Sequence, residues 1–361
     1  MTTPRAATLA EIARQCDVSI STVSRALRGE DRCASSHTIA RIKDMANALG
    51  YNPNAYHAAR RLVSQWTGQQ VVNHVISLFF PFDFFSSAPN YYIAIFRGIL
   101  QVLNEHHFGL LTNYTLDVYH PAGIELPIIF RRGDVDGVIA MGRNAGFDQI
   151  MECLRAEGGF GHRPVVTLID PLPGTSAILA DDYQAGYLAA AHLLEVGHRH
   201  LLHFFEDGEG YARSERLRGF RQACTDRGLD PARHLHAQLW QVEYAYSAHR
   251  DRLLATLRAH PEITAILAHN DLYAGSLHAT LTGAGYRIPE EMSLVSFDDT
   301  DPVLNAHGHN ILTTVHIPLL EIGQAAGRVI IGRVTGEMLA DTTEVLPVRL
   351  TERASTAPPA R

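Results

Sequence analysis

The sequence predicts a small all-α head followed by a larger α/β body. Three observations carry this reading. Thr8 to Arg28 shows two short helical stripes joined by a turn, apolar strand-like runs alternate with helical stretches from His74 onward, and charge divides between the same two regions. A length of 361 residues allows two or three structural units and a sizeable core.

In the head, Leu9, Ile12, Ala13 and Cys16 recur at i, i+3, i+4 and i+7, the apolar stripe of a short helix. Asp17-Val18-Ser19 breaks that pattern, and Ser19 is suited to cap a second helix from Ile20 to Arg28. Val23 and Leu27 face the same core, whereas Ile20, Ser21, Ser24, Arg25 and Arg28 form an opposite, mostly polar and cationic face. Two short helices with such a face fit a helix-turn-helix whose second helix suits the major groove; the bland alternative is a helical hairpin with a solvated face. Residues 1–65 carry nine Arg or Lys against five Asp or Glu, a surplus of +4, while the remainder carries 22 against 33. A basic head on an acidic body confines attraction for phosphate to one end.

In the body, Val75 to Pro81, Gly109 to Thr115, Val135 to Gly142 and Pro164 to Asp170 read as buried strands, with a helix from Tyr91 to His106 whose inward face is Ile93, Phe96, Leu100 and Leu103. Such alternation predicts a parallel, doubly wound sheet. A second lobe follows: a helix after Asp181-Asp182-Tyr183, strand LLHFF, a helix Arg216 to Ala223, and strands TAILAHND and MSLVSFDD. After Thr313-Thr314-Val315 the chain is expected to cross back, with a helix Pro318 to Gly332 and a strand Val345 to Thr351. The tail from Ser355 is Pro-rich and expected to fray. The domain division is therefore 7–62 for the head with its hinge segment, 63–73 for a linker, 74–354 for the two-lobed body and 355–361 for the tail.

Several function classes fall away. No apolar run approaches the ~20 residues of a membrane span and no signal-peptide pattern opens the chain, so a cytoplasmic protein is expected. Cys16, Cys33, Cys153 and Cys224 form no CxxC pair, which removes a zinc finger and a disulfide framework. Gly158-Gly159-Phe160-Gly161 lacks the strand-to-helix setting of a dinucleotide loop, and no phosphate-binding GxxxxGK[ST] occurs. The twenty histidines include His198, His200 and His203 but no HExxH; His198 and His200 could share one strand face, yet no metal and no cofactor are expected. A carboxylate pair such as Asp170 and Asp298 could serve a glycosidase, but a glycosidase has no use for a DNA-binding head.

The string VSISTVSRALRG, Val18 to Gly29, followed by Ile39, Ile42, Ala46 and Leu49 and the phrase Gly50-Tyr51-Asn52-Pro53-Asn54, resembles the lactose-repressor/purine-repressor (LacI/GalR) family of bacterial transcription regulators. The likeness continues through VDGVIAMG, Gly197-His198-Arg199-His200 and Thr313-Thr314-Val315 over almost the whole chain. It implies that the body takes the type I periplasmic-binding-protein fold, and that the protein is a homodimeric, sequence-specific repressor of sugar-utilisation genes binding operator DNA. Carried over by position, it implies base contacts for Ile20, Ser21 and Arg25 and phosphate contacts for Ser19 and Thr22. Arg25 can grip guanine bidentately, and Ile20 offers only apolar contact. Asp17 stands where the family's turn has Gly, and the loop Gly29 to Ser35 is one residue longer than the common pattern.

Pro53 to Leu62 matches the family's hinge helix, which implies DNA contact for Asn54, Arg60 and Leu62. An ungapped count puts Arg60, not Leu62, at the minor-groove wedge, and a plain linker is the alternative. The resemblance also implies a cleft between the lobes where Asp170, Arg216, Asn270 and Asp298 bind a small sugar-like effector, with Tyr91 and Phe82 from the aromatic run after the first strand. Some of that run belongs to the core, either Phe79 or Phe80. Two alternatives remain open: a corepressor-dependent regulator of a purine-like metabolite, and a sugar-binding module without a regulatory role.

Overall fold

The computed structural model describes residues 8–27, 33–49, 51, 72–80, 89–114, 119–120, 123–124, 126–142, 147–156, 163–206, 210–240 and 246–360. Asn54, Arg60, Leu62 and Phe82 lie outside them. The chain divides into two compact units, Met1–Asn73 and His74–Arg361.

Among the described residues the first unit holds three helices: α1 (Leu9–Gln15), α2 (Ile20–Leu27) and α3 (Ser36–Ala48). Each begins at a hydroxyl that accepts a backbone N–H of the first turn: Thr8 from Glu11 at 3.2 Å, Ser19 from Thr22 at 3.1 Å and Ser35 from Thr38 at 3.2 Å. Asp17 makes the turn between α1 and α2 at φ 47°, a left-handed conformation that Asp tolerates in place of Gly. Ile12, Cys16, Val23, Ala26 and Ile42 are fully enclosed, with Leu9 and Leu27 packed at the edge.

The second unit contains β1 (Val75–Phe80), α4 (Pro89–Glu105), β2 (Gly109–Tyr114), a small ribbon of β3 (Tyr119–His120) and β4 (Gly123–Ile124), α5 (Ile128–Arg132), β5 (Gly137–Met141), α6 (Phe147–Ala156), β6 (Val165–Leu168) and β7 (Ser176–Ala180). Then come α7 (Asp182–Val196), β8 (Leu201–Glu206), α8 (Tyr211–Asp226), α9 (Pro231–His234), β9 (Leu235–Trp240), α10 (Tyr246–Ala259), β10 (Ala265–Leu267), α11 (Asp271–Gly283), β11 (Ser293–Asp298) and β12 (Thr313–His316). It closes with α12 (Leu319–Thr335), β13 (Thr343–Leu346) and β14 (Arg349–Thr351). Two six-stranded sheets result, ordered β13-β7-β6-β5-β1-β2 and β14-β12-β11-β10-β8-β9; only β14 runs antiparallel to its neighbour. Strands β5, β6, β7 and β11 are buried at every position, as expected of parallel sheets covered on both faces. Phe79 and Phe80 are both core residues.

The chain crosses between lobes three times: after β7, after β12, and between β13 and β14. The expected single strand Val345 to Thr351 is thus two, β13 in the first sheet and β14 in the second, divided at Pro347, which cannot donate to a ladder. The expected frayed tail is stitched down. Ser355 is buried, its hydroxyl donates to Leu294 O at 2.6 Å and accepts from Thr313 N at 2.8 Å, and Ala357 N reaches the Ser293 hydroxyl at 3.0 Å.

The inward face of α4 also differs from expectation. Ile95, Ile99, Val102 and Leu103 are buried, while Ile93 is 40 % exposed. The reason is Gly98 on the same face: a Cβ there would stand 2.1 Å from Leu320 O, and one on Gly323 of α12 would stand 2.0 Å from Ile95 O. The two helices cross backbone to backbone, so α4 must turn its glycine stripe toward α12. In the second lobe Gly186 of α7 and Gly219 of α8 cross likewise, their added Cβ atoms 2.1 Å from Arg216 O and 2.2 Å from Tyr183 O. At the amino-terminal edge of the first sheet a buried pair, Arg163 and Asp136, is held at 3.0 Å, with Asp136 also accepting from Val75 N at 3.0 Å and Arg163 donating to Gly133 O at 2.9 Å.

Candidate functional site

The carboxyl ends of β10 and β11 and the face of α8 meet the start of α4 around a cavity of about 240 Å³. Tyr91, Tyr92 and Ile169 line it from the first lobe, and Arg216, His203, Phe220, His269, Asn270, Phe297 and Asp298 from the second. It lies where strand order reverses between β8 and β10, the usual place for a ligand crevice in an open α/β sheet.

Arg216 is the centre of the site. It sits in the second turn of α8, which begins at Tyr211, so the expectation that it starts its helix is corrected. The guanidinium lies over the Phe297 ring at 4.4 Å, donates through Nε to Asp182 at 2.8 Å and through a terminal nitrogen to His269 O at 3.2 Å. Its other terminal nitrogen stands 3.9 Å from Asp298 Oδ1, beyond hydrogen-bonding reach. That oxygen is buried and has no hydrogen-bond partner among the described residues. Burial pushes the Asp298 carboxyl up to about 8, against the opposing pull of Arg216. Burial likewise raises Asp182, and Arg216 opposes it. For Arg216 itself burial acts downward, but Asp182 and Asp298 outweigh it and keep the guanidinium firmly charged. Asp298 also holds φ 101° and Asp299 φ 62°, backbone strain of the kind that collects at binding sites.

The remaining wall combines a second cation, Arg213, with neutral groups. Burial, with nearby arginines adding to it, holds His269 down to about 3; burial also holds His203 to about 3, and its Nδ1 is enclosed without a partner among the described residues. Tyr91 and Tyr92 pack edge to face at 5.2 Å on the first-lobe side.

Of the residues expected at the cleft, Tyr91, Arg216, Asn270 and Asp298 come together on the cavity. Asn270 also caps α11, its Oδ1 accepting from Tyr273 N at 3.0 Å. Asp170 does not line the cavity. Its Oδ1 accepts from Tyr211 N at 2.7 Å, so a strand end of the first lobe caps a helix of the second. A second polar link between lobes joins Asn90 to Asp301 at 2.6 Å. Asp182, His203 and His269 are site residues the sequence reading missed. Only the adjacency of His269 to Asn270 could have signalled any of them.

In the head, Ile20, Ser21 and Arg25 of α2 are exposed, and 53 % exposure of Ile20 leaves a large apolar side chain in water at the helix start. The hydroxyls of Ser19, Ser21 and Thr22 bond one another, Ser19 lying 2.7 Å from Ser21 and 2.8 Å from Thr22. Each keeps acceptor or donor capacity toward a phosphate.

Residues 8–54 match the family model for bacterial regulatory proteins of the lacI family, and residues 190–356 match that for a periplasmic binding protein-like domain. The chain thus carries a LacI-family helix-turn-helix head and a periplasmic-binding-protein-like domain, and LacI/GalR-family regulators are its homologues. Among its LacI-family relatives, the HTH-type transcriptional regulator CelR of Thermobifida fusca is 28 % identical over 96 % of this chain and 95 % of its own. The HTH-type transcriptional regulator DegA of Bacillus subtilis is 26 % identical over 97 % of this chain and 98 % of its own. Among solved structures, a LacI family transcriptional regulator from Enterococcus faecium with bound ribose superposes with a TM-score of 0.65 at 26 % identity, covering 79 % of this chain and 99 % of that one. No helix among the described residues is long and apolar enough to cross a membrane.

Proposed function

We propose that this LacI-family regulator is a homodimeric repressor of sugar-utilisation genes whose operator affinity is set by a small polyhydroxylated effector held between its lobes. The observation that carries the reading is the buried Asp298 carboxyl at the cavity, whose Oδ1 has no hydrogen bond among the described residues and stands 3.9 Å from a charged Arg216. A donor-poor acceptor and a guanidinium side by side suit adjacent sugar hydroxyls, which both donate and accept. A volume of about 240 Å³ sits below the roughly 300–1,000 Å³ of drug-sized sites, which favours a monosaccharide over an oligosaccharide. The relative holding ribose supports the same class of ligand. In this reading Arg216, Asn270, Asp298 and Tyr91 bind effector together with Phe82, Asp170 acts at the cleft by joining the lobes through Tyr211 N, and the site binds without catalysing.

On the DNA side, Ile20, Ser21 and Arg25 read bases, Ser19 and Thr22 hold phosphates, and Asn54, Arg60 and Leu62 act at the hinge. Effector binding alters how the two hinge segments of the dimer are held and so changes operator affinity by linkage. A thermal-shift screen of sugars, sugar phosphates and nucleobases tests the cleft, since a ligand at about 100 times its Kd adds about 2.7 kcal/mol. Operator titrations with and without the hit give the sign. Release by a sugar supports an inducible repressor, tightening by a nucleobase replaces it with a corepressor-dependent one, and no hit in any class removes the cleft assignment. Arg25→Ala should cost about 1–3 kcal/mol of operator binding and relax selectivity at one base pair; wild-type selectivity in that variant would misplace the reading helix.

A further inference from the structure

At the amino-terminal ends of the second sheet's strands, opposite the cleft, four imidazoles stand in a row. Ring centroids are 4.6 Å apart for His234 and His200, 5.7 Å for His200 and His236, and 4.7 Å for His236 and His260. The register explains the gathering. β8 and β9 run parallel with Leu201 opposite Leu235 and Leu202 opposite His236, so His200, just before β8, comes beside His236 on β9. His260 and Glu262 arrive on the turn between α10 and β10. His198 takes no part: it is buried and bonded to Thr264 at 2.7 Å and Ser293 at 2.9 Å, so the expected shared face of His198 and His200 does not form.

His200 Nδ1 and His236 Nε2 lie 3.4 Å apart, His236 Nε2 and Glu262 Oε1 3.9 Å, and the three ligand atoms all fall within 4.8 Å of one another. For a hydrogen bond between rings 3.4 Å is long, since N–H donors sit about 2.7–3.2 Å from their acceptors. It matches a coordination edge instead: two nitrogens about 2.0–2.1 Å from a tetrahedral ion stand about 3.3 Å apart. Glu262 is anchored by His260, whose Nδ1 lies 3.1 Å from Oε1, the kind of outer contact that fixes a ligating carboxylate. The His236 side chain is 18 % exposed and that of Glu262 40 %, so an ion can enter from solvent. We propose that His200, His236 and Glu262 bind one zinc ion, with His260 positioning the carboxylate and water completing the tetrahedron. Two imidazoles and one carboxylate suit zinc, nickel or copper and disfavour magnesium and calcium, which prefer all-oxygen shells. A bound ion would tie together the starts of β8 and β9 and the turn into β10, stiffening the second lobe from the end remote from the cleft.

The test is zinc titration of the tag-free, chelator-stripped full chain against a competing chromogenic chelator, with Tm followed in parallel. Wild type should take up one tight equivalent per chain and gain Tm. His236→Ala and Glu262→Gln should each bind at least tenfold more weakly and lose the gain, and excess magnesium or calcium should not compete. Glu262 is exposed, so its variant reports on metal even where the histidine variant folds poorly. No tight equivalent in wild type, or an equivalent undiminished in Glu262→Gln, overturns the site.

Discussion

The two lobes share a frame but not a chemistry. Each has a six-stranded sheet and one helix pair crossed through glycine, Gly98 with Gly323 in the first lobe and Gly186 with Gly219 in the second. Each also buries an arginine against a carboxylate, but at opposite ends. In the first lobe Arg163 and Asp136 close off the amino-terminal edge and bond to Val75 N and Gly133 O as well. In the second, Arg216 and Asp182 sit at the carboxyl end, with Asp298 Oδ1 beside them lacking a hydrogen bond among the described residues. Among the described residues the first lobe gives the cavity Tyr91, Tyr92 and Ile169. The charged grip therefore belongs to one lobe and the aromatic cover to the other. The position of a buried pair along the strands, rather than its presence, separates a structural ion pair from a binding one.

Four experiments sharpen or break this contrast. Arg163→Ala and Arg216→Ala each strand a buried carboxylate, and each should lower unfolding free energy by about 3–5 kcal/mol in denaturant titrations. Only Arg216→Ala should also abolish the effector response; loss of response in both would erase the distinction. Gly98→Ala and Gly186→Ala force a Cβ onto backbone that cannot yield, and each should cost about 1–3 kcal/mol by the same measurement. A large cost in one lobe and none in the other would show that the frames are not equivalent. Within the cleft, Asp298→Asn should weaken the effector at least tenfold, or about 1.4 kcal/mol, while Tyr91→Phe should change it by less than about threefold in calorimetric titration. Reversed ranking would move the grip to the first lobe.

The smallest effect is in pH. The folded pKa of Asp298, about 8, lies above its unfolded value, so the stability it contributes is full below pH ~4 and is lost as pH rises toward 8. His203 and His269 are depressed to about 3, so their contributions are complete above pH ~6.5 and are lost only on acidification. Between pH ~6.5 and ~8 the ligand-free chain should lose stability, and Asp298→Asn should flatten that slope. A hydroxylated ligand that donates to the ionised carboxylate lowers its pKa, so binding at pH 7 should release a proton. Calorimetry in buffers of different protonation enthalpy reads it, and proton uptake instead would contradict the assigned contact.

Much of this was legible in the sequence because strand ends are legible. Asn270 and Asp298 close apolar runs, and Arg216 lies three residues before Gly219 in a recognisable phrase. Asp182 and His203 escaped because nothing local marks them, and His269 is marked only by standing next to Asn270: Asp182 becomes a site residue only when α7 and α8 close on their glycines, bringing it to 2.8 Å from Arg216. The face of α4 was misread for a related reason. Its sequence carries two apolar stripes, and the stripe holding Gly98 packs inward because only glycine allows α12 so near. Ser355 looked like part of a loose tail because its partners, Leu294 and Thr313, are over 40 residues away in the chain.

The second crossing bears on how the protein is made. The first lobe's α4 glycine face and β7 edge are covered by α12 and β13, which begin 139 and 163 residues after the end of β7. The second lobe has most of its strands and both of its crossed helices by β12. Vectorial synthesis thus inverts gene order: the later lobe can settle first, while the earlier one waits with an apolar helix face uncovered. Nascent chains arrested after His316 should protect α8 from protease while leaving α4 open to it, and chaperones should engage the first lobe longest.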